Sequence, residues 1–110
     1  MSTNTDLPRT ITPKDLYNTY SASEYVLVDV RTPEEIENKK IEHPNRRNIN
    51  VYDRNFEDKI RDLNLEKKYI IICRSGIRSS AAQRMFEQNE LETANVEDGI
   101  NGWTAQNLAT

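Results

Sequence analysis

Apolar residues in this chain fall in short clusters separated by polar turns, and two periods alternate along it. Tyr25-Val26-Leu27-Val28-Asp29-Val30 is a nearly unbroken β-branched run. It predicts a strand covered on both faces, as in a parallel sheet. Tyr69-Ile70-Ile71-Ile72 predicts a second such strand. Residues 48–51 and 94–97 are shorter strand candidates. Between them the spacing becomes helical. Thr12-Pro13-Lys14-Asp15 predicts a helix start, with Thr12 as N-cap, Pro13 at N1 and Asp15 at the positive end of the dipole. That helix is expected to reach about Tyr20 and to bury Leu16 and Tyr20. Thr32-Pro33-Glu34-Glu35 repeats the signature, with Glu35 placed to complete a capping box, and predicts a short helix ending near Lys39. Residues 41–47 lack a period, contain Pro44 and read as loop. Phe56, Ile60 and Leu63 recur at helical spacing. Residues 79–89 predict the best helix, with Ala82, Met85 and Phe86 on one face. Residues 103–108 predict a closing helix. Strands alternating with helices imply an α/β domain with a mainly parallel sheet.

The length of 110 residues suits one domain that closes its core without a staple. Residues 1–8 read as a flexible tail and residues 9–110 as the domain. Net charge is −3, which disfavours nucleic acid and anionic membranes as partners. One Cys and one His exclude an internal disulfide and a Cys/His zinc cluster. No apolar run is long enough for a signal peptide or a membrane span. The expectation is a cytoplasmic protein with no metal and no cofactor.

The chemistry concentrates at Cys73-Arg74-Ser75-Gly76-Ile77-Arg78-Ser79, directly behind the second strong strand. Ligands of parallel sheets gather at the carboxyl ends of strands. The helix that follows offers free N–H groups and a positive dipole end. Gly76 permits the positive φ that turns loop N–H groups inward as a nest. Arg74 and Arg78 add two cations, and no acid stands between Lys67 and Phe86. A helix N-terminus and arginines favour the thiolate form of a cysteine. The plain alternative is a small buried hydrophobe at a strand end; glycine, arginines and helix start at these offsets argue against it.

These residues resemble the single-domain rhodanese, or thiosulfate-type sulfurtransferase, family. Three segments carry the resemblance in the family's order: Asp29-Val30-Arg31 followed by Pro33-Glu34-Glu35, the loop Cys73 to Ser79, and Gly99-Ile100-Asn101-Gly102-Trp103. The resemblance implies a single rhodanese-like domain, its central sheet flanked by helices on both faces. It implies that Cys73 takes a sulfane sulfur from a donor such as thiosulfate, holds it as a persulfide, and passes it to cyanide or a cellular thiol. Arg74, Ser75, Gly76, Ile77, Arg78 and Ser79 would then bind the substrate. The expected partners are a small anionic sulfur donor and a thiol acceptor or partner protein. A sulfur-carrier module loaded by a partner protein is the alternative. Phosphatase or arsenate-reductase chemistry is a third reading. Phosphatase relatives place five residues between Cys and Arg, whereas four separate Cys73 from Arg78. The chain departs from the family over residues 39–47, where Lys39-Lys40-Ile41 and Glu42 to Arg47 replace its Gly-His-Ile and Pro-Gly-Ala. Asp98 replaces the first glycine of the closing pair.

Asp29 and Arg31 are candidates for supporting the loop from the neighbouring strand end; a structural ion pair is the simpler reading. His43 reads as a solvated loop residue and Trp103 as a core plug. Arg46-Arg47 reads as a solvated face, or as an aid in steering anions.

Overall fold

The computed structural model describes residues 7–106 and 108. Most of the expected tail, residues 1–6, and residue 107 within the expected closing helix lie outside that set. Five strands form one sheet: β1 (Thr10–Ile11), β2 (Tyr25–Asp29), β3 (Arg46–Asn48), β4 (Lys68–Ile72) and β5 (Glu92–Val96). Their order is β1-β5-β4-β2-β3, and every pairing is parallel. The helices are α1 (Pro13–Asn18), α2 (Pro33–Asn38), α3 (Phe56–Arg61), α4 (Ile77–Gln88) and α5 (Gly99–Ala105).

Strand alternation sorts the core into two layers. Val26, Val28, Tyr69 and Ile71 point to one face, where Phe56 and Ile60 of α3 and Ala82 and Phe86 of α4 cover them. Leu27, Ile70 and Ile72 point to the other face, under Leu16 of α1 and Ile100 and Trp103 of α5. Both faces of β2 and β4 are thus dry, which explains their unbroken apolar runs. Capping boxes start α1 at Thr12 with Asp15 and α2 at Thr32 with Glu35. Helix α1 stops at Asn18, so Tyr20 lies beyond it, partly buried against the ring of Tyr25. None of the described helices is long and apolar enough to cross a membrane.

Other boundaries also differ from the sequence pattern, and β5 spans Glu92–Val96 rather than residues 94–97. Strand β3 is the polar Arg46–Asn48, not residues 48–51. It is an edge strand, where charged side chains are admitted and burial does not mark the pairing. Ile49 and Val51 continue alongside β2 through Ile49 N–H to Asp29 O and Val51 N–H to Val30 O, 3.0 Å each. Helix α4 begins at Ile77 rather than residue 79, and α5 at Gly99 rather than 103.

Strand order creates the crevice. From β2 the chain passes through α2 to β3 on one side; from β4 it passes through α4 to β5 on the other. The connections part between β2 and β4, the switch point where α/β sheets bind ligands. Asp29 and Ile72 are register partners, so the two strands end level.

Candidate functional site

Cys73 follows β4 at this switch point and is fully buried. Its Sγ accepts from Gly76 N–H at 3.1 Å and Ser79 N–H at 3.3 Å, and lies 3.3 Å from Ser79 Oγ. Gly76 is the N-cap of α4 with φ +98°, the left-handed conformation that folds the loop back over the sulfur. The sulfur thus faces the positive end of a 12-residue helix.

The loop is held from behind by α5. Ile100 N–H donates to Cys73 O and Asn101 N–H to Arg74 O, both at 2.9 Å. These bonds need Gly99, whose φ is +51°; a Cβ there would stand 2.1 Å from Cys73 O. The preceding Asp98 is also left-handed, with φ 58°, a conformation that a short polar side chain tolerates better than most.

The two arginines are deployed differently. Arg78 makes a two-point ion pair with Glu35 of α2, at 2.8 and 2.7 Å, and lies 5.8 Å from the centre of the Tyr52 ring. This partner holds the Glu35 carboxyl at about 2, well below its ordinary value, and raises Arg78. Arg74 is exposed and makes no ion pair with a described residue. Ser75 and Ile77 are exposed too, Ile77 at 76%. Acids absent from the segment itself arrive from elsewhere. Glu35 faces Arg78, and Glu97 and Asp98 line a cleft of about 580 Å³ beside Ser75, Gly76 and Ile77.

Asp29 and Arg31 form a buried ion pair, with Arg31 Nη2 2.6 Å from Asp29 Oδ2. Arg31 also donates to Glu35 O at 3.3 Å and Lys39 O at 2.8 Å. It therefore fastens the C-terminal turn of α2 to β2. Its hydrogen bonds among the described residues run to α2 and Asp29, not to the Cys73 loop. Asn48, unmarked by the sequence pattern, donates to Asp29 O at 2.8 Å and Arg31 O at 3.0 Å.

The divergent residues 39–47 border a cleft of about 700 Å³ between α2 and β3, lined in part by Lys39, Lys40 and Arg46. Arg46 reaches Asp29 Oδ2 only at 3.5 Å, and its buried Nε has no hydrogen-bond partner among the described residues. His43 departs from the expected solvated residue. It is half-buried, its Nδ1 accepts Asn45 N–H and its Nε2 lies 3.0 Å from Tyr20 O. Because Nδ1 accepts, the ring proton sits on Nε2 and is donated to Tyr20 O. Trp103 is a buried core residue, packed edge-on to Tyr17. No cluster of metal-ligating side chains occurs among the described residues.

Asn95 is a site residue the sequence reading passed over. It is buried on β5, accepts from Ser79 Oγ and donates to Gly76 O at 3.3 Å. Its strand position was legible, but its neighbour lies on a different element.

Similarity to known proteins agrees with this geometry. The Bacillus subtilis (strain 168) protein named "Putative sulfurtransferase YtwF" is 34% identical over 83 residues, 76% of this chain and 77% of that protein. The crystal structure of a rhodanese-related protein from Thermoplasma volcanium superposes with a TM-score of 0.80 at 34% identity, covering 93% of this chain and 96% of that one. A Staphylococcus aureus rhodanese-like domain protein gives 0.75 at 31% identity, over 87% and 91%. The family model for the rhodanese-like domain matches residues 12–106, from the cap of α1 to the end of α5. With the family model matching nearly its whole length, this chain belongs to the rhodanese-like domain family.

Proposed function

We propose that this protein is a sulfurtransferase that carries sulfane sulfur as a persulfide on Cys73. The donor is a small anion such as thiosulfate and the acceptor a thiol or cyanide. The observation that carries the reading is the buried sulfur faced by Gly76 N–H, Ser79 N–H and the Ser79 hydroxyl at the head of α4. Such donors stabilise negative charge on sulfur without a histidine base.

The first step is attack of the Cys73 thiolate on the outer sulfur of thiosulfate. A new S–S bond forms, the donor's S–S bond breaks, and sulfite leaves with the electron pair. An acceptor thiolate then attacks the terminal sulfur and Cys73 departs as thiolate. Arg74, exposed and without an ion pair among the described residues, meets the incoming anion and the departing sulfite. Arg78 adds field near the sulfur while its pair with Glu35 holds α2 against α4. Ser75, Gly76, Ile77 and Ser79 complete the substrate loop. The four-residue interval between Cys73 and Arg78 supports sulfur over phosphate as the transferred group.

Intact-mass spectrometry tests this. Incubation with thiosulfate adds one sulfur, cyanide removes it, and Cys73→Ala takes up none. Loading only by a cysteine desulfurase would point instead to a sulfur carrier. Hydrolysis of an aryl phosphate without sulfur uptake would replace the proposal with phosphatase chemistry.

A further inference from the structure

Ser79 Oγ carries one proton and is surrounded by three acceptors. They are Asn95 Oδ1, Gly76 O at 3.3 Å and Cys73 Sγ at 3.3 Å. Ser79 has no exposed surface and Asn95 only 6%, so bulk water does not settle the competition. The orientation of the Asn95 amide does. Its Nδ2 donates to Gly76 O. Turned over, the amide would set Oδ1 against that carbonyl, two acceptors face to face. Gly76 O thus obliges Asn95 to present an oxygen to Ser79.

We infer that Asn95 is a positioning residue that acts on Cys73 through the Ser79 hydroxyl. The inference rests on the sulfur-transfer reading of this site. While sulfur is a thiol, Ser79 gives its proton to Asn95 Oδ1 and turns a lone pair toward S–H. When the thiolate forms, the hydroxyl rotates and donates to Sγ. When an outer sulfur is attached, negative charge moves to that sulfur and the hydroxyl returns to Asn95. Asn95 is the alternative acceptor that keeps Ser79 from gripping the thiolate too firmly. A thiolate held by stronger donors forms more readily but attacks more slowly.

Gly76 O keeps Ser80 N–H at 3.0 Å, so Asn95→Leu does not orphan that carbonyl. The test is the rate of Cys73 alkylation by iodoacetamide against pH in wild type, Asn95→Leu, Ser79→Ala and the double variant. Asn95→Val serves if the leucine variant does not fold by circular dichroism. In Asn95→Leu the midpoint is expected to fall by about one pH unit or slightly less, the worth of the neutral Ser79–Asn95 hydrogen bond lost from the thiol form. The plateau rate is expected to fall about 2–3-fold. In the Ser79→Ala background, removing Asn95 should move the midpoint no further. An unmoved midpoint in the single variant overturns the inference, and so does a shift that persists without Ser79. Alkylation needs no sulfur donor, so failure of the sulfur-loading assay and failure here are separate results.

Discussion

The two walls of the β2–β4 crevice are built in opposite ways. The Cys73 wall is held by the main chain. Two loop N–H groups reach the sulfur, and two loop carbonyls are taken by N–H groups of α5. In the α2–β3 wall the main chain pairs β3 to β2, but side chains tie down α2 and the strand ends. Arg31 reaches from Asp29 to the carbonyls of Glu35 and Lys39, and Asn48 reaches back to β2. Backbone bonding fixes a loop whatever its exposed side chains are, provided glycine stands where no Cβ fits. Side-chain bonding fixes a wall only while a few residue types are kept. Elsewhere that wall can diverge, as residues 39–47 do.

Substitutions can break this contrast, beginning with the largest effect. Asp29→Ala leaves the Arg31 guanidinium buried without its carboxylate and is expected to cost about 3–5 kcal/mol in denaturant unfolding. A cost under about 1 kcal/mol would mean that α2 does not depend on this pair. Gly99→Ala drives a Cβ to 2.1 Å from Cys73 O at a positive φ. It is expected to lose about 3 kcal/mol and to abolish sulfur loading. If the variant loads sulfur at the wild-type rate, the α5 bonds do not position the loop.

Glu35→Gln cuts the ion pair that joins the walls among the described residues. Its site is partly exposed, so the expected loss at neutral pH is about 1 kcal/mol or less. The pH dependence is the sharper readout. Glu35 is held below its ordinary carboxyl value, so its contribution is full above about 4.5 and fades as pH falls toward about 2. Wild type should therefore lose stability over that interval more steeply than Glu35→Gln, and parallel curves would remove the pair from the account. Arg46→Met is expected to change stability by less than about 0.5 kcal/mol. Among the described residues its Nε has no hydrogen-bond partner, and its guanidinium reaches a carboxylate already paired at 3.5 Å. A loss near that of Asp29→Ala would make Arg46 a second anchor of the weaker wall.

Legibility in the sequence followed the same divide. β2 and β4 were readable because both their faces are dry, and α1 and α2 because their caps lie within four residues. The Cys73 loop was readable because its cysteine, glycine and helix start are contiguous. β1 and β3 were not, since Thr10–Ile11 is too short for a period and Arg46–Asn48 is a polar edge. Glu35 was read as a capping residue, which it is, through Thr32. Its second partner, Arg78, comes from a distant helix and left no local mark. Asn95 and Asn48 were hidden for the same reason. The acid-free segment predicted a plainly positive surrounding, but Glu35, Glu97 and Asp98 enter from other elements and temper it.

The bonds from α5 to the carbonyls of Cys73 and Arg74 also bear on the order of folding. They join positions far apart in the chain, and such contacts form after local ones because the intervening loop must first be closed. During synthesis β4 and its cysteine emerge well before Gly99 does. Until the last helix docks, the loop lacks its rear support and its carbonyls face water. The loop around Cys73 is therefore completed late, only once α5 has docked behind it.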